Sequence, residues 1–572
     1  MIRENLEERL LRMLWQEEEG EARSAKDLRA LPVEDRVLEG ECIANAVFRG
    51  VVGSDAFEFL AQENSSKFRN GDSVIVGDGL DFDEAISMSF GDYDGEHHVV
   101  TLRRDPYARD QLEFEEGRSY CVDRRPLGLR GRLQDVVREG FADELISDVL
   151  EGRHEPTRDD DRFNRALERF KGNGLNKVQL HAGASAIATN SLAMIQGPPG
   201  TGKTRLLAEV LRALCGAGCR IALSAFTHRA VDNALITLRN LDSEVRLFKL
   251  GAKRDPALIR ANVRAANPRR GGFPAEGCVV AGTCFALAKL PATEKFHFAV
   301  FDESGQLPIP HAMAGMLCAR RWIFLGDHKQ LPPVITTHHV DRGATASIFE
   351  HLDRHYGSSM LNVSYRMNGP VCDVVGRAFY GSELRSAEPD RRMPFCVGGT
   401  HDDLLDPEKS VVLARVDHLQ PGMRSTQEAN LVADLVHELL HRHGVAAAQI
   451  AVLAPFRAQV RAIRSALQKK GVPGEDGVVV DTVERMQGQE REVVLISLAV
   501  GDPDTLSSRA SFFFSTNRLN VAMSRARSKV VLVASRGAFM GLPMDPESLR
   551  AASLFKELYQ RLPQVDLTRV YG

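Results

Sequence analysis

The spacing of apolar positions separates a mixed leading region from the rest of the chain. Residues 1–38 carry leucines at helical spacing, whereas residues 40–105 are short apolar runs divided by Gly, Asp and Asn turns. A charged helical pattern returns over residues 130–172. The pattern predicts that residues 1–172 form helices on either side of a small antiparallel barrel or sandwich, at about residues 40–128.

Beyond residue 172, short apolar runs alternate with helical stretches. This alternation is typical of a parallel sheet, because crossover helices cover both of its faces. Two successive sets of runs predict one α/β domain at residues 173–355 and a second at 356–546, followed by a helix and tail at 547–572. The expected fold class is α/β, with two tandem parallel-sheet domains preceded by helices and a small β domain.

Composition narrows the class of protein. With 572 residues, 43% of them hydrophobic and 26% charged, the chain has about three to four domains and enough apolar surface for large cores. These values exclude disordered, collagen-like and disulfide-scaffold proteins. The net charge of −4 argues against a polybasic binder but is compatible with a nucleic-acid enzyme that has a local basic groove.

The nine cysteines and the hydropathy add little chemistry. The cysteines are scattered without zinc or iron–sulfur spacing, and Cys215 and Cys219 are interpreted as buried thiols. No apolar run approaches the roughly 18–20 residues of a membrane span. The first residues are charged and lack a signal-peptide core, so we expect a cytoplasmic protein.

Residues 197–204 read GPPGTGKT and carry the first chemical signal. An apolar run precedes them and a helical stretch follows, which is the strand–loop–helix context of a phosphate-binding loop. Its backbone N–H groups would cradle phosphates, Lys203 would reach the β- and γ-phosphates, and Thr204 would bind Mg²⁺. The candidate nucleotide-binding residues here are Gly197, Pro198, Pro199, Gly200, Thr201, Gly202, Lys203 and Thr204.

Hydrolysis requires further groups, and the sequence offers them. Asp302 and Glu303 end the apolar run FAVFDE, where Asp302 would hold Mg²⁺ and Glu303 would activate the attacking water. Arg366 and Arg525 lie in the second α/β domain. If the nucleotide sits between the domains, both arginines can stabilise the transition state from across the cleft, and closure would couple hydrolysis to domain motion.

Together, these motifs resemble those of superfamily 1 helicases. They are closest to the 5′-to-3′ branch, which includes the nonsense-mediated-decay RNA helicase, the immunoglobulin-mu-binding helicase and the replication nuclease-helicase. The matching segments occur in family order: LNKVQ at 175–179, GPPGTGKT at 197–204, FTHRAVDNAL at 226–235, AGTCFAL at 281–287, DESGQ at 302–306, GDHKQLPP at 326–333, SYRMN at 364–368, APFRAQV at 454–460, VDTVERMQGQE at 480–490 and LNVAMSRAR at 519–527.

The resemblance implies two RecA-like domains with ATP between them and a single strand lying across both, after a helical stalk and a β-barrel. It implies that Gln179 reads adenine, Tyr365 stacks on it and Glu490 holds the ribose. It also implies that Gln330 senses the γ-phosphate, and that Arg366 and Arg525 contact phosphates.

Three departures from the family pattern stand near these residues. Ser364 stands where Gln is usual, Met486 where an aromatic residue is usual, and Ser304-Gly305 where Ala-Ser is commoner. None of them alters the core catalytic set, so we expect ATPase activity to be retained.

A basic segment within about 250–272 indicates the strand channel. Its cations are opposed by a single acid, Asp255, and the segment resembles the small helical insertion that guards the channel in this branch. The cations are Lys253, Arg254, Arg260, Arg264, Arg269 and Arg270. Among the residues of the motifs and this segment, the candidate nucleic-acid contacts are Thr227, Asn233, Arg260, Arg264, Thr283, Thr482 and Gln487.

The sequence therefore predicts an ATP-dependent single-strand translocase and helicase that moves 5′-to-3′ on DNA. DNA is favoured over RNA because THRAVDN, at 227–233, is closer to the replication-type helicase. An RNA or RNA–DNA remodeller on the same motor stays open, as does an ATP-dependent switch that recruits partners without unwinding. Residues 1–172 lack the cysteine cluster of the fused nuclease, so any cleavage is expected from a separate partner chain.

Overall fold

The computed structural model describes most of the chain and divides it into two compact units. The described residues are 4–53, 56–62, 64–68, 72–82, 84–95, 97–104, 113–125, 130–251, 256–337, 339, 341–419, 422–472, 477–502, 505–506, 509–543 and 545–572. The first unit is Met1–Glu139 with Val334–Thr345, and the second is Gly140–Pro333 with Ala346–Gly572.

A long helix and a six-stranded barrel make up most of the first unit. The helix, α1 (Leu6–Arg29), begins at a capping box in which Asn5 and Glu8 exchange hydrogen bonds. It is followed by α2 (Val33–Leu38), β1 (Cys42–Val52), β2 (Ala56–Leu60), β3 (Ser73–Gly77), β4 (Ile86–Asp94), β5 (Val99–Arg104) and β6 (Ser119–Arg124). The strands pair antiparallel in the closed order β1-β2-β5-β4-β3-β6, so the β domain is a barrel rather than a sandwich.

Aromatic residues fill the barrel. Phe48, Phe59 and Phe114 lie with ring centroids 5.2–5.4 Å apart, and Phe59 is fully buried. Phe48 lies on β1 and Phe59 on β2, where every second side chain points inward, whereas Phe114 reaches the interior from the segment before β6. The contacts among these rings contribute to the apolar interior of the barrel.

The segment 334–345 returns to the first unit and is tied to α1. The carboxylate of Glu17 accepts hydrogen bonds from the backbone N–H groups of Thr336 (3.1 Å) and Thr337 (2.8 Å) and from both hydroxyls. Arg9 donates to both carboxylate oxygens of Asp341 at 2.7 Å. This segment directly follows the motif GDHKQLPP in the chain.

Four helices precede the parallel sheet of the second unit. The first of them begins in the first unit and ends in the second. The helices are α3 (Arg130–Ala142), α4 (Glu144–Leu150), α5 (Asp160–Phe170) and α6 (Lys177–Ala188). The sheet strands are β7 (Leu192–Gln196), β8 (Arg220–Ala225), β9 (Arg246–Leu250), β10 (Arg264–Ala266), β11 (Cys278–Thr283), β12 (Phe298–Asp302), β13 (Trp322–Gly326) and β14 (Ser359–Met360). Their order is β10-β9-β11-β8-β12-β13-β7-β14, and every pair is parallel.

Helices connect these strands and cover the sheet. They are α7 (Lys203–Gly216), α8 (His228–Leu241), α9 (Pro256–Arg260), α10 (Cys284–Leu287), α11 (Ile309–Met316) and α13 (Ile348–Tyr356), with a 3₁₀ turn at Ser304–Gln306. The short helix α12 (Arg342–Thr345) belongs to the first unit. The central strand β12 is buried along its whole length, as expected for a parallel strand covered on both faces.

A second parallel sheet follows a two-stranded link, β15 (Val363–Ser364) with β16 (Arg385–Ser386). Its strands are β17 (Val411–Arg415), β18 (Ile450–Ala454), β19 (Val479–Thr482), β20 (Arg491–Ser497), β21 (Ala526–Ala534) and β22 (Gln564–Asp566), in the order β19-β18-β20-β21-β17-β22. The helices are α14 (Gly369–Phe379), α15 (Asp402–Leu405), α16 (Thr426–His441), α17 (Arg457–Lys469), α18 (Ala510–Phe513), α19 (Thr516–Met523), α20 (Gly537–Met540), α21 (Pro546–Arg561) and α22 (Thr568–Tyr571), with 3₁₀ turns at Ala447–Gln449 and Val483–Met486.

The expected fold class is confirmed: a six-stranded barrel and helices precede two tandem parallel-sheet, RecA-like domains. The details differ in three places. The first sheet extends past residue 355 to include β14. The expected tail contains β22, which pairs with β17 at the sheet edge, after a 16-residue helix. The basic segment is largely strand and loop, because α9 spans only five residues and β10 joins the first sheet.

None of the helices in the described ranges combines the length and the apolar character that crossing a bilayer requires.

Candidate nucleotide site and nucleic-acid interface

The phosphate loop lies between β7 and α7, as its sequence context predicts. Gly200 and Gly202 both have positive φ, +75° and +76°, and Gly202 is the N-cap of α7. The hydroxyl of Thr201 donates to the Pro198 carbonyl (2.7 Å), and the Lys203 side chain folds back over Gly197. The loop therefore presents its backbone and the helix N-terminus to one position, which suits a phosphate chain.

The second RecA-like domain packs directly on this loop. Tyr365 donates its backbone N–H to the Gly200 carbonyl (2.8 Å), and the Ser364 hydroxyl donates to the Pro199 carbonyl (3.0 Å). A Cβ atom at Gly200 would lie 2.5 Å from the Cβ of Arg366, so only glycine fits there. Ser364, a departure from the family pattern, thus makes a contact between the domains.

Lys203, Asp302 and Glu303 form a charge cluster at the end of β12, in which Lys203 and Asp302 are largely buried and Glu303 is partly exposed. The Lys203 ammonium lies 2.9 Å from Glu303 and 3.9 Å from Asp302. Burial alone would lower the pKa of Lys203, but the charges of Glu303 and Asp302 raise it, so the amine stays protonated. Burial also raises the pKa of Asp302 to about 6, against the opposing effect of Lys203.

The backbone at Glu303 is strained. Its φ of 51° and ψ of 35° are left-handed, which is uncommon for a residue with a side chain, and its N–H donates to the Asp302 carboxylate (2.9 Å). Strain of this kind is concentrated at functional sites. The turn points the Glu303 carboxylate to the Lys203 amine, next to where a γ-phosphate would lie.

The residues predicted to hold Mg²⁺ offer suitable donor atoms. Thr204 is the second residue of α7, one position after Lys203, and Asp302 closes the strand beside the phosphate loop. A hydroxyl and a carboxylate are hard oxygen ligands, which Mg²⁺ prefers together with phosphate oxygens. The chemistry of the donor set therefore fits the predicted ion.

Arg366 forms an ion pair with Glu490, which lies elsewhere in the second domain. Its Nε donates to the Glu490 carboxylate (2.7 Å) and its Nη1 to the Ser524 carbonyl (3.0 Å), while Arg527 donates to the other Glu490 oxygen (3.0 Å). Burial opposes ionisation of Glu490, yet the hydrogen bonds from the two arginines lower its pKa. Glu490, predicted to hold the ribose, is therefore ionised and engaged by Arg366 and Arg527.

Arg525 and Gln330 meet at the boundary between the domains. The guanidinium of Arg525 is fully buried and donates to the Gln330 side-chain oxygen (3.4 Å), the Gln489 carbonyl (3.3 Å) and the Val521 carbonyl (3.0 Å). Burial lowers the pKa of Arg525 to about 9, so it is still charged at neutral pH. The structure thus brings together the two residues assigned to γ-phosphate sensing and charge stabilisation.

Gln179 and Tyr365 flank the other side of the loop. Gln179 completes a capping box with Asn176 at the start of α6, and its amide donates to the Thr201 carbonyl (2.8 Å). The Tyr365 hydroxyl accepts from Asn176 (2.9 Å), while its ring remains 44% exposed. An exposed ring held over the loop by its hydroxyl is suited to stacking on a base.

Three candidate nucleic-acid contacts lie at or after the carboxyl ends of two neighbouring strands of the first sheet, β8 and β11. Ala225 pairs with Thr283 at the carboxyl ends of β8 and β11, so Thr227 follows the neighbouring strand end. Thr227 caps α8 and Asn233 is exposed on that helix. The carboxyl ends of parallel strands are where open α/β sheets bind ligands.

The other candidate nucleic-acid contacts lie on different elements from these three residues. Arg260 and Arg264 are exposed on α9 and β10, while Lys253 and Arg254 lie outside the described residues. Thr482 ends β19, the edge strand of the second sheet, and Gln487 follows the 3₁₀ turn after it. The two groups of candidates therefore come from separate sheets.

Sequence reasoning missed several polar residues at the domain boundary. Asp327 accepts hydrogen bonds from Gln196 (3.1 Å) and from the Tyr380 hydroxyl (2.6 Å), and Asn520 donates to Tyr380 (2.8 Å). Asp327 lies in GDHKQLPP and could have been found as an acid directly after a buried strand. Tyr380 and Asn520 carry no local signal, because their role depends on a contact between distant segments.

The departure at Ser304-Gly305 also has a structural reason. A Cβ atom at Gly305 would lie 2.6 Å from the Asp327 carbonyl oxygen, and the Ser304 hydroxyl donates to the Leu325 carbonyl (2.7 Å). Glycine at this position thus lets the turn after β12 approach the loop after β13.

A second titratable cluster consists of Asp402, Glu438 and His443, each of which makes hydrogen bonds to neighbouring residues. Cys396 donates its backbone N–H to Nδ1 of His443 (3.0 Å), which places the proton of the neutral ring on Nε2. That nitrogen lies 3.7 Å from Glu438 and cannot ligate a metal while protonated.

Comparison with known proteins agrees with this arrangement. Two family models, each described as an AAA domain, match residues 174–269 with 276–338, and residues 344–537. Together they span both parallel sheets, apart from the C-terminal β22, and imply use of a nucleotide.

Curated relatives match about two thirds of the chain. The chain is 27% identical over 396 residues to the DNA replication ATP-dependent helicase/nuclease JHS1 of Arabidopsis thaliana, covering 65% of this chain and 29% of that protein. It is 26% identical over 410 residues to the DNA replication ATP-dependent helicase/nuclease DNA2 of Mus musculus, covering 65% and 38%. The chain thus spans about a third of the length of the curated relatives it matches.

Among solved structures, the arterivirus nonstructural protein 10 helicase aligns with a TM-score of 0.40 at 15% identity, over 92% of this chain and 82% of that one. The family matches, the motif order and the two RecA-like sheets lead to one assignment. The chain belongs to the superfamily 1B helicases, the 5′-to-3′ branch of superfamily 1.

Proposed function

We propose that the chain is an ATP-driven translocase and helicase that moves 5′-to-3′ along single-stranded DNA. The observation that carries the proposal is the meeting of two half-sites. Lys203, Asp302 and Glu303 come from the first RecA-like domain, and Arg366 and Arg525 come from the second, whose chain packs on the phosphate loop. A site divided between two domains couples each hydrolysis event to their relative movement.

The residues of the first domain prepare the phosphates for attack. Thr204 and Asp302 would hold Mg²⁺, which would supply positive charge beside the phosphates of the nucleotide. Lys203 leaves Glu303 for the phosphate oxygens, which frees the Glu303 carboxylate to accept a proton from the attacking water. Gln330 orients the γ-phosphate or the water from the neighbouring loop.

The residues of the second domain supply the remaining positive charge. Arg366 exchanges its Glu490 partner for a phosphate oxygen, and Arg525 reaches the same group from the domain boundary. Glu490, relieved of one arginine, accepts from the ribose hydroxyls. Phosphate release reverses these exchanges, so each cycle shifts the grip of the two sheets on the strand.

The choice of DNA rests on the relatives and on one motif. The curated relatives are named as DNA replication helicase/nucleases, and the THRAVDN segment is closer to the replication-type helicase than to the RNA-decay helicase. The candidate contacts at the strand ends and the exposed Arg260 and Arg264 could bind a phosphate backbone, which DNA and RNA share. An RNA-directed motor and a partner-recruiting switch therefore become outcomes of the test.

The test is ATP hydrolysis by the pure protein without nucleic acid, with single-stranded DNA and with RNA of the same sequence. Stimulation by DNA on the order of tenfold or more, with little by RNA, supports the proposal. Stimulation mainly by RNA contradicts the substrate. Slow turnover that neither strand changes contradicts the motor and favours the partner-recruiting switch.

Cleavage, where it accompanies this motor, is proposed to come from a separate chain. The curated relatives are named helicase/nucleases, and residues 1–172 of this chain lack the cysteine cluster of the fused nuclease. We expect the pure protein to leave labelled single-stranded DNA intact with Mg²⁺ or Mn²⁺. Metal-dependent products that an active-site Lys203→Ala variant still forms would contradict this.

A further inference from the structure

A buried carboxylate beside the nucleotide site collects hydrogen bonds from both RecA-like domains. Asp327 directly follows β13, and its Oδ1 accepts from the Gln196 amide (3.1 Å) and the Lys329 backbone N–H (3.1 Å). Its Oδ2 accepts from the Gln330 amide (2.8 Å) and the Tyr380 hydroxyl (2.6 Å). All four donors are neutral, so the orientation of this carboxylate depends on each of them.

Tyr380 links this carboxylate to a helix of the second domain. It follows α14 and is buried, and its hydroxyl accepts from the Asn520 amide (2.8 Å), which also donates to the Lys329 carbonyl (2.7 Å). Burial and the charge of Asp327 hold the pKa of Tyr380 well above its usual range. The phenol therefore keeps its proton and donates a hydrogen bond to Asp327.

The side chain of Gln330 lies between Asp327 and Arg525 and is hydrogen-bonded to both. On one side, Asp327 accepts from the Gln330 amide; on the other, Arg525 donates to the Gln330 side-chain oxygen (3.4 Å). Asn520 lies on α19, and Arg525 follows that helix by two residues. A shift of α19 relative to the first domain would therefore move Arg525, and through Tyr380 and Asp327 it would also move Gln330.

We infer that Tyr380 is a positioning residue for ATP hydrolysis: by donating to Asp327 and accepting from Asn520, it holds Gln330 in register with Arg525 across the domain boundary. The inference rests on the proposed function, whose catalytic residues it orients. Tyr380 acts through Asp327 and Gln330 and not on the nucleotide. Its removal changes the rate of hydrolysis and leaves the phosphate loop able to bind ATP.

The first measurement compares Tyr380→Phe with the wild type in strand-stimulated ATP hydrolysis. Phenylalanine keeps the buried ring and removes only the hydroxyl. We expect kcat to fall on the order of tenfold, and KM for ATP to stay within about twofold. Tyr356→Phe is the matched control, because the Tyr356 hydroxyl donates to the Val149 carbonyl (2.9 Å), outside this network, and its loss leaves kcat unchanged.

A second comparison separates positioning from a general structural effect. In a Gln330→Ala background, Tyr380→Phe should cause no further loss of kcat, since the group it positions is gone. Asn520→Ala removes the other hydrogen-bond partner of the Tyr380 hydroxyl and should lower kcat as Tyr380→Phe does. Thermal melting of each variant shows whether the fold is retained.

Three results would overturn the inference while the wild type is active. They are an unchanged kcat in Tyr380→Phe, a rise in KM at constant kcat, and a full additional loss in the Gln330→Ala background. A wild type whose ATP turnover no strand stimulates would instead contradict the proposed function, and with it the role of Tyr380.

Discussion

Lys203 is the residue on which the proposed chemistry depends most. Its ammonium is enclosed by Asp302 and Glu303, and its protonation is maintained by their charges. Replacing it with alanine removes the cation for the β- and γ-phosphates and leaves the buried Asp302 carboxylate and the partly exposed Glu303 carboxylate without their partner.

Lys203→Ala should therefore reduce kcat for ATP hydrolysis at least a hundredfold, because transition-state charge is no longer neutralised. Phosphate release from the pure protein with saturating single-stranded DNA measures this. Lys171→Ala is the matched control, since Lys171 is an exposed lysine paired with Glu168 on α5. Turnover of Lys203→Ala at the wild-type rate would show that the site is elsewhere.

Glu303→Gln should bind ATP normally and hydrolyse it on the order of a hundred to a thousand times more slowly. Glutamine keeps the size of the side chain but cannot accept the proton of the attacking water. Fluorescent-nucleotide binding and single-turnover hydrolysis separate the two effects. If hydrolysis proceeds at the wild-type rate while binding is retained, Glu303 is not the base.

At the scale of single elements, the basic segment is where the helical expectation and the structure differ most. Arg260 is the last residue of the five-residue helix α9, and Arg264 is the first residue of β10. The guanidinium of Arg264 lies 5.9 Å from the centre of the Phe248 ring. Pairing of β10 with β9 fixes the position of this strand at the sheet edge.

Arg260→Gln/Arg264→Gln should weaken binding of single-stranded DNA and flatten its salt dependence. If each arginine neutralises one phosphate, the slope of log K against log salt falls in magnitude by about 1.4. Fluorescence anisotropy over a salt series measures the slope. Arg354→Gln/Arg561→Gln, which removes two exposed arginines paired with glutamates, should leave it unchanged; equal slopes in both variants would contradict the assignment.

The tie between α1 and the segment 334–345 is a second element-scale feature. Burial alone would raise the pKa of Glu17, but hydrogen bonds from Thr336, Thr337 and His339 lower it to about 2. A lowered folded-state pKa contributes stability that is present above the usual value of 4.5 and is lost as the pH falls towards 2.

Glu17→Gln should therefore destabilise the protein by a constant amount above pH 4.5, and the difference from the wild type should shrink as the pH falls from 4.5 towards 2. Urea unfolding followed by circular dichroism over this range measures the difference. Glu18→Gln, at the exposed neighbouring position, is the control. A difference that grows on acidification would contradict the sign of the linkage.

At the scale of the whole molecule, the proposal requires directional movement by two linked domains. We expect the protein to unwind a duplex with a 5′ single-stranded tail and to leave a duplex with a 3′ tail intact. The reason is the family assignment, together with a nucleotide site completed by both domains. Strand separation on labelled tailed duplexes tests it, with Lys203→Ala as the inactive control; preference for the 3′ tail would contradict the polarity.

The sequence by itself determined the features that depend on local pattern. Alternation of apolar residues predicted the β domain and both parallel sheets, since strand and helix periods are local properties. The phosphate loop and the acids after β12 were identifiable because a strand, a turn and a helix lie next to each other in the chain. The order of the motifs was enough to indicate the family.

Only the tertiary structure decided which distant residues meet. The contact of Tyr380 with Asp327, the engagement of Arg366 by Glu490 and the addition of β22 beside β17 join segments 53, 124 and about 150 residues apart. Such contacts depend on the packing of buried surfaces, and no local periodicity encodes them. For that reason the candidate catalytic groups could be named from the sequence, whereas the contacts around them became visible only in the fold.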